Sequence, residues 1–516
     1  MSIDQIALLP AYAAAGTAAL ALLMDLLMPG RRLPVVIASS LGTGITAVAC
    51  VWAYREGARS TFCVDAAGCS YSWDATAVLV GLTFAATTLV VLLLSTPVLR
   101  AGAAPAGEYC FLLGCAMTGG VVLGAARDLI TLIVALETLT LPLYVLVGLR
   151  RRPVGAAGLP SGGSAGGSVP PMNGSRPAGN AEASLIFFVV SVVATSVTLL
   201  GAGLLYAATG TVHFDGLRQA LTGRGEPAMA RLMGVAVVLL LVGLAFKVAA
   251  VPFHAWAPAT YDGAPLPVAA YLSTASKLGG VIALILVLAG PLRPWLDVAG
   301  AAMAVLAVLT MTVGNLAALR QQRMVRLLAW SSVAQAGYIL APLGAAVAAA
   351  GRTADAITVA VSATLAYTIF YLLLELTAFG SVIALRGPVD GGAMADYRGA
   401  ASARPWVAGA FVIAVTGLAG LPPALAGLFA KVVVVRALLA GGAGWLAVIV
   451  AINAVIGLAY YLRAGLSLFG RSGKAPTVWP RLPVAVGLCL TVVTAAALVI
   501  GFAPQWVFEV APAAAP

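Results

Sequence analysis

The sequence predicts an all-α polytopic membrane protein of about fourteen transmembrane helices, and composition and the spacing of apolar residues support this prediction. Of 516 residues, 61% are hydrophobic and 9% are charged, and the mean hydropathy is +1.03. Soluble globular proteins are about one quarter charged. Apolar runs of about 20 residues, each long enough to cross a bilayer as a helix, recur along the whole chain. These observations exclude a soluble multi-domain enzyme, a disordered chain and a fibrous protein.

The apolar runs give the order of the predicted spans. The runs 356–385 and 405–439 are longer than one crossing requires, so each is expected to be tilted or broken. The first run lacks a preceding positive charge and ends before Arg31, which indicates a retained membrane helix rather than a cleaved signal peptide. The approximate limits of the spans are 5–28, 34–53, 75–97, 109–126, 129–149, 183–207, 230–251, 264–290, 296–318, 325–345, 356–385, 405–439, 444–468 and 482–503.

The basic residues of the loops predict the orientation of the chain in the membrane. They are more numerous in one of the two alternating sets of loops, and the positive-inside rule assigns that set to the cytoplasm. Both termini are then outside. The Ala-rich composition and the preference for Arg over Lys indicate a bacterial plasma membrane. The net charge of +11 does not indicate a nucleic-acid partner, because the basic residues form short clusters between apolar runs.

Three of the four lysines lie inside apolar spans, at Lys247, Lys277 and Lys431. A basic residue at mid-membrane costs at least about 2.5–3.5 kcal/mol on insertion scales, so three of them require a reason. A desolvated lysine can release its proton, whereas arginine effectively cannot. The three lysines are therefore candidate proton carriers. The alternative is that their side chains snorkel to the interface, which Lys277 is too central in its span to do.

Two acidic residues and one histidine also lie in or beside apolar spans. A lone buried carboxylate at Glu137 would be protonated, but paired with a lysine it would remain ionised, and Lys247 is the favoured partner. Glu375 is either a proton relay or a neutral acid bonded to a neighbouring helix. His254 follows Pro252, where it either shuttles protons near neutral pH or serves as a capping or interface residue.

Polar residues of the 325–345 span face one side of the predicted helix. They are Ser331, Ser332, Gln335 and Tyr338. Hydrogen bonds between helices are the favoured interpretation, and a water-holding site is the alternative.

No Cys-x-x-Cys or His-rich set is present, so the sequence predicts no metal site and no iron–sulfur cluster in this chain. Cys63 and Cys69 share one polar loop, where a disulfide and two free thiols are equally compatible with the sequence.

A short internal repeat predicts two related halves. Residues 243–248 resemble residues 427–432, and each copy ends in Lys-Val. The copies lie in the seventh and twelfth spans, an odd offset, so they cross the membrane in opposite directions. Proline follows the first copy and precedes the second, at Pro252 and at Pro422 and Pro423. Paired, proline-interrupted helices of opposite orientation are typical of inverted-repeat transporters.

Six sequence motifs lie in or beside the predicted spans. They are Leu136–Leu146, Pro252–Pro258, Gly263–Pro265, Ser273–Lys277, Ala329–Tyr338, and Gly420–Pro423 with Lys431. They resemble motifs of the antiporter-like membrane subunits of bacterial respiratory complex I (NADH-quinone oxidoreductase), and in particular subunit N. The resemblance covers essentially the whole chain. Its placement in subunit N rests on the Leu-Pro-Leu-Tyr motif, on a lysine in the twelfth span, and on the lack of a long C-terminal extension.

The resemblance implies a proton channel built from two inverted five-helix repeats with discontinuous seventh and twelfth helices. Glu137 and Lys247 would form its controlling pair, Lys277 its central carrier and Lys431 its exit-side carrier. No cofactor would be bound here, since NADH, FMN, iron–sulfur clusters and quinone are used by other subunits. Subunits K and M of the complex would lie next to this chain in the lipid bilayer.

The resemblance also implies a division of the single transmembrane domain, 1–516. Helices 1–3 would occupy 1–108, the first repeat 109–290, the second repeat 296–468, and the last helix with its tail 482–516. Residues 150–181, rich in Gly, Ser and Pro, are expected to form a flexible cytoplasmic loop inside the first repeat.

The sequence departs from the family pattern at three positions. Ile186 occupies a position where members usually have a lysine, and Gln335 one where they usually have a histidine. The eleventh helix carries Glu375-Leu376-Thr377 where members usually have Asn-Leu-Gly. We expect Gln335, which does not titrate, to weaken a relay between Lys277 and Lys431, and Glu375 to restore it.

Two other functions share parts of this pattern. An Mrp-type cation/proton antiporter subunit has the same arrangement of lysines, and a non-pumping structural paralogue would have the same spans. A solute transporter is less compatible, because few Asn, Gln or Asp residues lie inside the spans to line a polar cavity.

Overall fold

The computed structural model describes residues 3–64, 68–149, 179–223, 227–470 and 481–513. Most of the predicted cytoplasmic loop 150–181 lies outside the described residues, so that prediction is not addressed.

The first half of the chain forms twelve α-helices and one hairpin in the described residues. Apolar segments dominate the long helices because a helix satisfies all its backbone hydrogen bonds internally, which lipid requires. In order, the elements are α1 (Gln5–Leu27), α2 (Arg32–Arg55), β1 (Arg59–Val64), β2 (Gly68–Trp73), α3 (Ala75–Leu94), α4 (Thr96–Arg100), α5 (Ala106–Ala125), α6 (Leu129–Gly148), α7 (Asn180–Thr209), α8 (Phe214–Ala220), α9 (Pro227–Lys247), α10 (Trp256–Gly263), α11 (Leu266–Tyr271) and α12 (Lys277–Ala289).

The second half of the described chain is helical throughout its regular parts. A short π-helical segment, Leu272–Ser276, joins α11 to α12. The elements that follow are α13 (Leu296–Leu319), α14 (Met324–Leu340), α15 (Ala354–Arg386), α16 (Ala400–Ala403), α17 (Pro405–Ala419), α18 (Leu425–Ala440), α19 (Gly444–Ser467), α20 (Val484–Phe502) and α21 (Gln505–Ala513).

The predicted polytopic helical fold is confirmed. In the described part of the chain, 12 helices are long and apolar enough to cross a membrane. The two other predicted spans contain shorter pieces. The span 325–345 holds α14, of 17 residues, continued by a 3-10 segment. The span 405–439 is divided into α17 and α18, whereas 356–385 forms one unbroken helix, α15, of 33 residues.

The sequence analysis missed the antiparallel hairpin of β1 and β2. Arg59 pairs with Trp73 and Val64 with Gly68, and a disulfide joins Cys63 to Cys69 across the two strands. The alternation of apolar and polar residues that predicts a strand extends over only six residues in each strand, so it is difficult to recognise between long apolar runs.

Acidic and hydroxyl side chains begin several of the long helices. Asp4, Asp74, Asp128 and Thr353 accept hydrogen bonds from the first free backbone N–H groups of α1, α3, α6 and α15. Capping of this kind satisfies donors that the helix itself cannot pair. These capping residues therefore mark the starts of the four helices.

The lipid-facing and interior surfaces differ strongly between helices. Helices α1, α2, α7, α19 and α20 carry many exposed large apolar residues, such as Val48, Leu199 and Val455, as expected for contact with lipid. By contrast, the central part of the segment from α11 to α12 is fully buried. Lys277 begins α12 and is 3% exposed, so it lies in the centre of the bundle.

Two helices are broken in the positions that proline and glycine predict. After α9 the backbone leaves the helix over residues 248–255, with Ala249 at φ +57°. Between α17 and α18 it leaves the helix at Gly420, with φ +87°, and continues through Pro422 and Pro423. The predicted discontinuities of the seventh and twelfth helices are therefore present.

Gly427 permits the close approach of α18 to α17 beside the second break. A Cβ atom at this position would collide with the backbone carbonyl of Gly417. We expect Gly427→Ala to cost about 1–3 kcal/mol or more, because backbone cannot yield as a flexible side chain does. The thermal stability of the purified assembly measures this effect. Gly409→Ala is the matched control, since a Cβ there meets nothing within 4 Å. Equal stability of the two variants would contradict the prediction.

Candidate functional site

Glu137 and Lys247 form an ion pair between two helices. Glu137 lies in the middle of α6, and Lys247 is the last residue of α9, at the first break. Lys247 Nζ is 2.7 Å from Glu137 Oε1, and the two side chains are 4% and 22% exposed. A desolvated ammonium group needs such a counter-ion to remain charged.

Hydroxyl groups from α6 and α7 complete the surroundings of the pair. Thr195 donates to Glu137 Oε1 at 2.6 Å, while Lys247 Nζ donates to Thr140 Oγ1 at 3.2 Å and to Ser191 Oγ at 3.3 Å. Ser191 in turn contacts the hydroxyl of Tyr144. The ammonium thus has three acceptors within reach, as its three N–H groups require.

Lys277 has no carboxylate within ion-pair distance in the described residues. Its ammonium group donates to the backbone carbonyl of Ser332 and, at 2.6 Å, to the hydroxyl of the same residue on α14. The Ser332 hydroxyl is 2.8 Å from the hydroxyl of Tyr371, which donates to the carbonyl of Ser273. The Tyr371 ring centroid is 5.8 Å from Lys277 Nζ. Neutral oxygens and an aromatic ring therefore hold this lysine.

Glu375 lies one helical turn after Tyr371 on α15 and is fully buried. Neither carboxyl oxygen has a hydrogen-bond partner among the described residues. The carboxyl group lies within electrostatic range of Lys277 and of the tyrosines Tyr261 and Tyr461. Buried polar atoms are nearly always paired, so this carboxyl group is an exception that requires a functional or structural reason.

Lys431 lies on α18, in the first turns after the second break. Its ammonium group donates to the backbone carbonyls of Leu418, at 2.9 Å, and of Ala419, at 2.5 Å, at the C-terminus of α17. These carbonyls have no partner within their own helix, and the helix dipole favours a cation there. Gly420 leaves the room for this contact, since a Cβ there would lie 2.8 Å from Lys431 Nζ.

Gln335 connects the surroundings of Lys277 with those of Lys431. Its amide nitrogen donates to the carbonyl of Leu418 at 3.1 Å and to the hydroxyl of Tyr461 at 2.9 Å. Its carbonyl accepts a hydrogen bond of 2.6 Å from Tyr367. Tyr461 also lies 2.5 Å from Ser331 Oγ. The polar residues of α14 thus bond to neighbouring helices, as the favoured interpretation of the sequence predicted.

His254 lies within the first break, seven residues after Lys247. Its ring packs against Trp330, with 5.1 Å between the ring centroids, and its Nδ1 atom is buried without a partner among the described residues. No hydrogen bond or ion pair in this part of the chain joins it to Lys247, Lys277 or Lys431.

An ionic cluster that the sequence analysis missed joins three helices at one end of the bundle. Arg323 Nε lies 3.0 and 2.9 Å from the two carboxylate oxygens of Asp262, and its Nη2 atom is 2.9 Å from Asp390. Asp390 also pairs with Arg386, at 3.2 Å. Burial opposes the ionisation of Asp390, but hydrogen bonds and charges of the two arginines outweigh it and hold its pKa below the ordinary value. The Asp390 carboxylate therefore remains charged at neutral pH.

In the described residues, no group of three or more His, Cys, Asp or Glu side chains could hold a metal ion. Four of the predicted site residues instead form a charged pair, Glu137 with Lys247, and two lysines held by neutral oxygens, Lys277 and Lys431. The residues missed from sequence are hydroxyl groups: Thr140, Ser191, Thr195, Tyr367, Tyr371 and Tyr461. Their only sequence signal was the presence of hydroxyl residues within apolar spans.

A bundle of membrane-length helices that holds lysines and carboxyl groups beside helix breaks defines a membrane protein that moves ions. A family described as "NADH:quinone oxidoreductase/Mrp antiporter, TM" matches residues 172–457, and the chain belongs to this family. It is 55% identical to NADH-quinone oxidoreductase subunit N of Salinispora tropica, over 99% of both chains.

Two solved structures are similar to this chain over nearly its whole length. A chain of respiratory complex I from Thermus thermophilus is similar with a TM-score of 0.75 and 28% identity, over 97% of this chain and 98% of that one. A chain of the Mrp complex from Dietzia is similar with a TM-score of 0.78 and 21% identity, over 99% and 97% of the two chains. At 21% identity, the similarity to the Mrp chain shows a shared fold and nothing more.

Proposed function

We propose that the chain is a proton-translocating membrane subunit of NADH-quinone oxidoreductase. The observation that carries the proposal is the arrangement of the buried lysines. Lys247 has a carboxylate counter-ion, whereas Lys277 and Lys431 are held by neutral oxygens. An ammonium group held only by neutral partners loses little when it gives up its proton, whereas a paired one is kept charged. The three lysines therefore differ in how readily they release a proton.

In this proposal Glu137 and Lys247 are the controlling pair. Contact with Glu137 keeps Lys247 charged, and separation of the pair favours release of its proton. Lys277 is the central carrier and Lys431 the exit-side carrier. His254 is included as a further proton-transfer group beside the first break. The redox reaction, with NADH, FMN, iron–sulfur clusters and quinone, takes place in other subunits, and this chain supplies the proton path.

The proposal extends to the assembly and the membrane. The subunit resides in the bacterial plasma membrane with both termini outside, next to subunits K and M. Its proton path is formed by two inverted repeats, 109–290 and 296–468, which follow three N-terminal helices in 1–108 and precede the segment 482–516. The two helix breaks beside Lys247 and Lys431 support this division.

An Mrp-type antiporter subunit is the alternative function within the same family. Identity of 55% over the full length to a relative named as a subunit N favours the oxidoreductase. Purification of the chain from its native membrane separates the two. Co-purification with NADH:quinone reductase activity supports the proposal. Sodium-sensitive growth of a deletion strain that retains this activity would contradict it.

Glu375 is proposed to pass protons between the Lys277 and Lys431 sites. We expect Glu375→Gln to lower the rate of proton pumping by about 10²-fold, because a positioned acid typically contributes at least this much to proton transfer. Pumping by the reconstituted complex measures the effect. Glu108→Gln, at the exposed start of α5, is the control. Unchanged rate and stoichiometry in the Glu375 variant would remove Glu375 from the proton path.

A further inference from the structure

Gln335 occupies the point where the polar groups around Lys277 meet those around Lys431. It lies on α14, one turn after Ser331 and Ser332, and is 2% exposed. On one side, Gln335 donates to Tyr461, which lies within electrostatic range of Glu375, and Glu375 lies within electrostatic range of Lys277. On the other, Leu418 accepts from both Gln335 and Lys431. A proton that moves from Lys277 to Lys431 by way of Glu375 and Tyr461 therefore passes this side chain.

The hydrogen bonds of the Gln335 amide fix its orientation. The backbone carbonyl of Leu418 can only accept, so the group that faces it must be the amide nitrogen. Its two N–H groups are then used by Leu418 and Tyr461, and its carbonyl oxygen accepts from Tyr367. Both N–H groups of the amide thus have an acceptor, and its carbonyl oxygen has a donor.

A neutral amide held in this way does not conduct protons. Its nitrogen has no lone pair available to accept a proton, and its N–H groups do not ionise near neutral pH. A hydroxyl group, in contrast, can accept a proton on one side while it releases one on the other. Ser331 and Tyr461 can conduct in this manner up to Gln335, where the chain of exchangeable hydroxyl groups stops.

We propose that Gln335 is a gate that separates the Lys277 and Lys431 sites and opens only when its side chain turns away from Leu418 and Tyr461. This inference rests on the proposed function and deepens it. When the gate is open, one N–H bond breaks at Lys277 and one forms at Lys431. Each intervening hydroxyl group or water molecule gains one O–H bond and loses one, so it is unchanged after the transfer.

The shared carbonyl of Leu418 links the gate to the charge of Lys431. An ammonium group binds a carbonyl more strongly than an amide does, because the hydrogen bond is charge-assisted. The carbonyl of Leu418 accepts from both donors at once, as its two lone pairs permit. The charge of Lys431 therefore acts next to the contact that holds the gate closed.

Passive proton leak through the reconstituted, assembled complex without substrate tests the gate. Gln335→His places a group that titrates near neutral pH in the gate position. We expect the leak to rise by about 5–30-fold, the factor that corresponds to the loss of one or two hydrogen bonds. Gln335→Asn, too short to reach Leu418 and Tyr461 together, is expected to raise it in the same direction. Gln321→His is the control, because the side chain of Gln321 donates to the carbonyl of Ala317 at the end of α13, away from the contacts of Gln335.

The origin of the leak is tested by adding Lys277→Ala to the Gln335→His variant. We expect the leak to return to the wild-type level, because the path through the gate begins at Lys277. A leak that is equal in wild type and both Gln335 variants, or that persists without Lys277, would overturn the gate. Failure of the proposed function is recognised separately, since Lys277→Ala alone would then leave pumping intact whatever the leak.

Discussion

Lys277→Ala is expected to remove the contribution of this chain to proton pumping. The side chain lies in the centre of the bundle, 3% exposed, with its ammonium group on Ser332. A positioned proton-transfer group contributes about 10²–10⁴-fold to the rate, so the path through this chain should effectively close. The number of protons moved per electron in the reconstituted complex measures the result. NADH oxidation by an artificial acceptor that bypasses quinone reports whether the assembly is intact.

Lys277→Arg separates proton transfer from simple charge. Arginine would keep a positive charge at this position but effectively cannot release its proton, so this variant should fail to pump as Lys277→Ala does. Lys474→Ala, the substitution of the one lysine that is not in an apolar span, is the matched control. Wild-type stoichiometry in both Lys277 variants would indicate a structural subunit.

Glu137→Gln is expected to weaken both stability and pumping. Loss of the carboxylate leaves the ammonium of Lys247, 4% exposed, without a counter-ion. Removal of one partner of a buried ion pair typically costs about 3–5 kcal/mol, because the remaining charge is uncompensated. Thermal denaturation of the purified assembly measures stability, and proton uptake by vesicles measures pumping.

The double variant Glu137→Gln/Lys247→Met tests whether the two residues act as a pair. Removal of both charges leaves no uncompensated charge, so the double variant should be more stable than Glu137→Gln alone, yet it should not pump. Thr140 and Ser191, which bond to Lys247, remain in place and can pair with each other or with water. Additive losses of stability would show that the contact between Glu137 and Lys247 is not energetically coupled.

Local sequence was sufficient to predict the helix breaks and the candidate lysines. Proline removes a backbone donor and restricts the residue before it, so Pro252, Pro422 and Pro423 indicate interruptions without knowledge of the fold. A lysine within an apolar run is also recognised from local sequence, because the free-energy cost of placing it in lipid depends on its own span.

Contacts between distant parts of the chain could not be derived in this way. Glu137 and Lys247 are 110 residues apart, and only the packing of α6, α7 and α9 brings them to 2.7 Å. The partners of Gln335 come from three other helices, at Tyr367, Leu418 and Tyr461. The sequence showed that Gln335 does not titrate, but only the structure shows that all its hydrogen-bonding groups are occupied.

The location of ordered water in the assembled complex tests the central claim most directly. A structure of the complex at a resolution that shows individual waters is predicted to contain them between Lys247 and Lys277 and around the carboxyl group of Glu375, so that buried polar groups are linked from one lysine to the next. Tightly packed apolar side chains between these lysines, with no water and no polar side chain to join them, would contradict the claim that protons pass along this line.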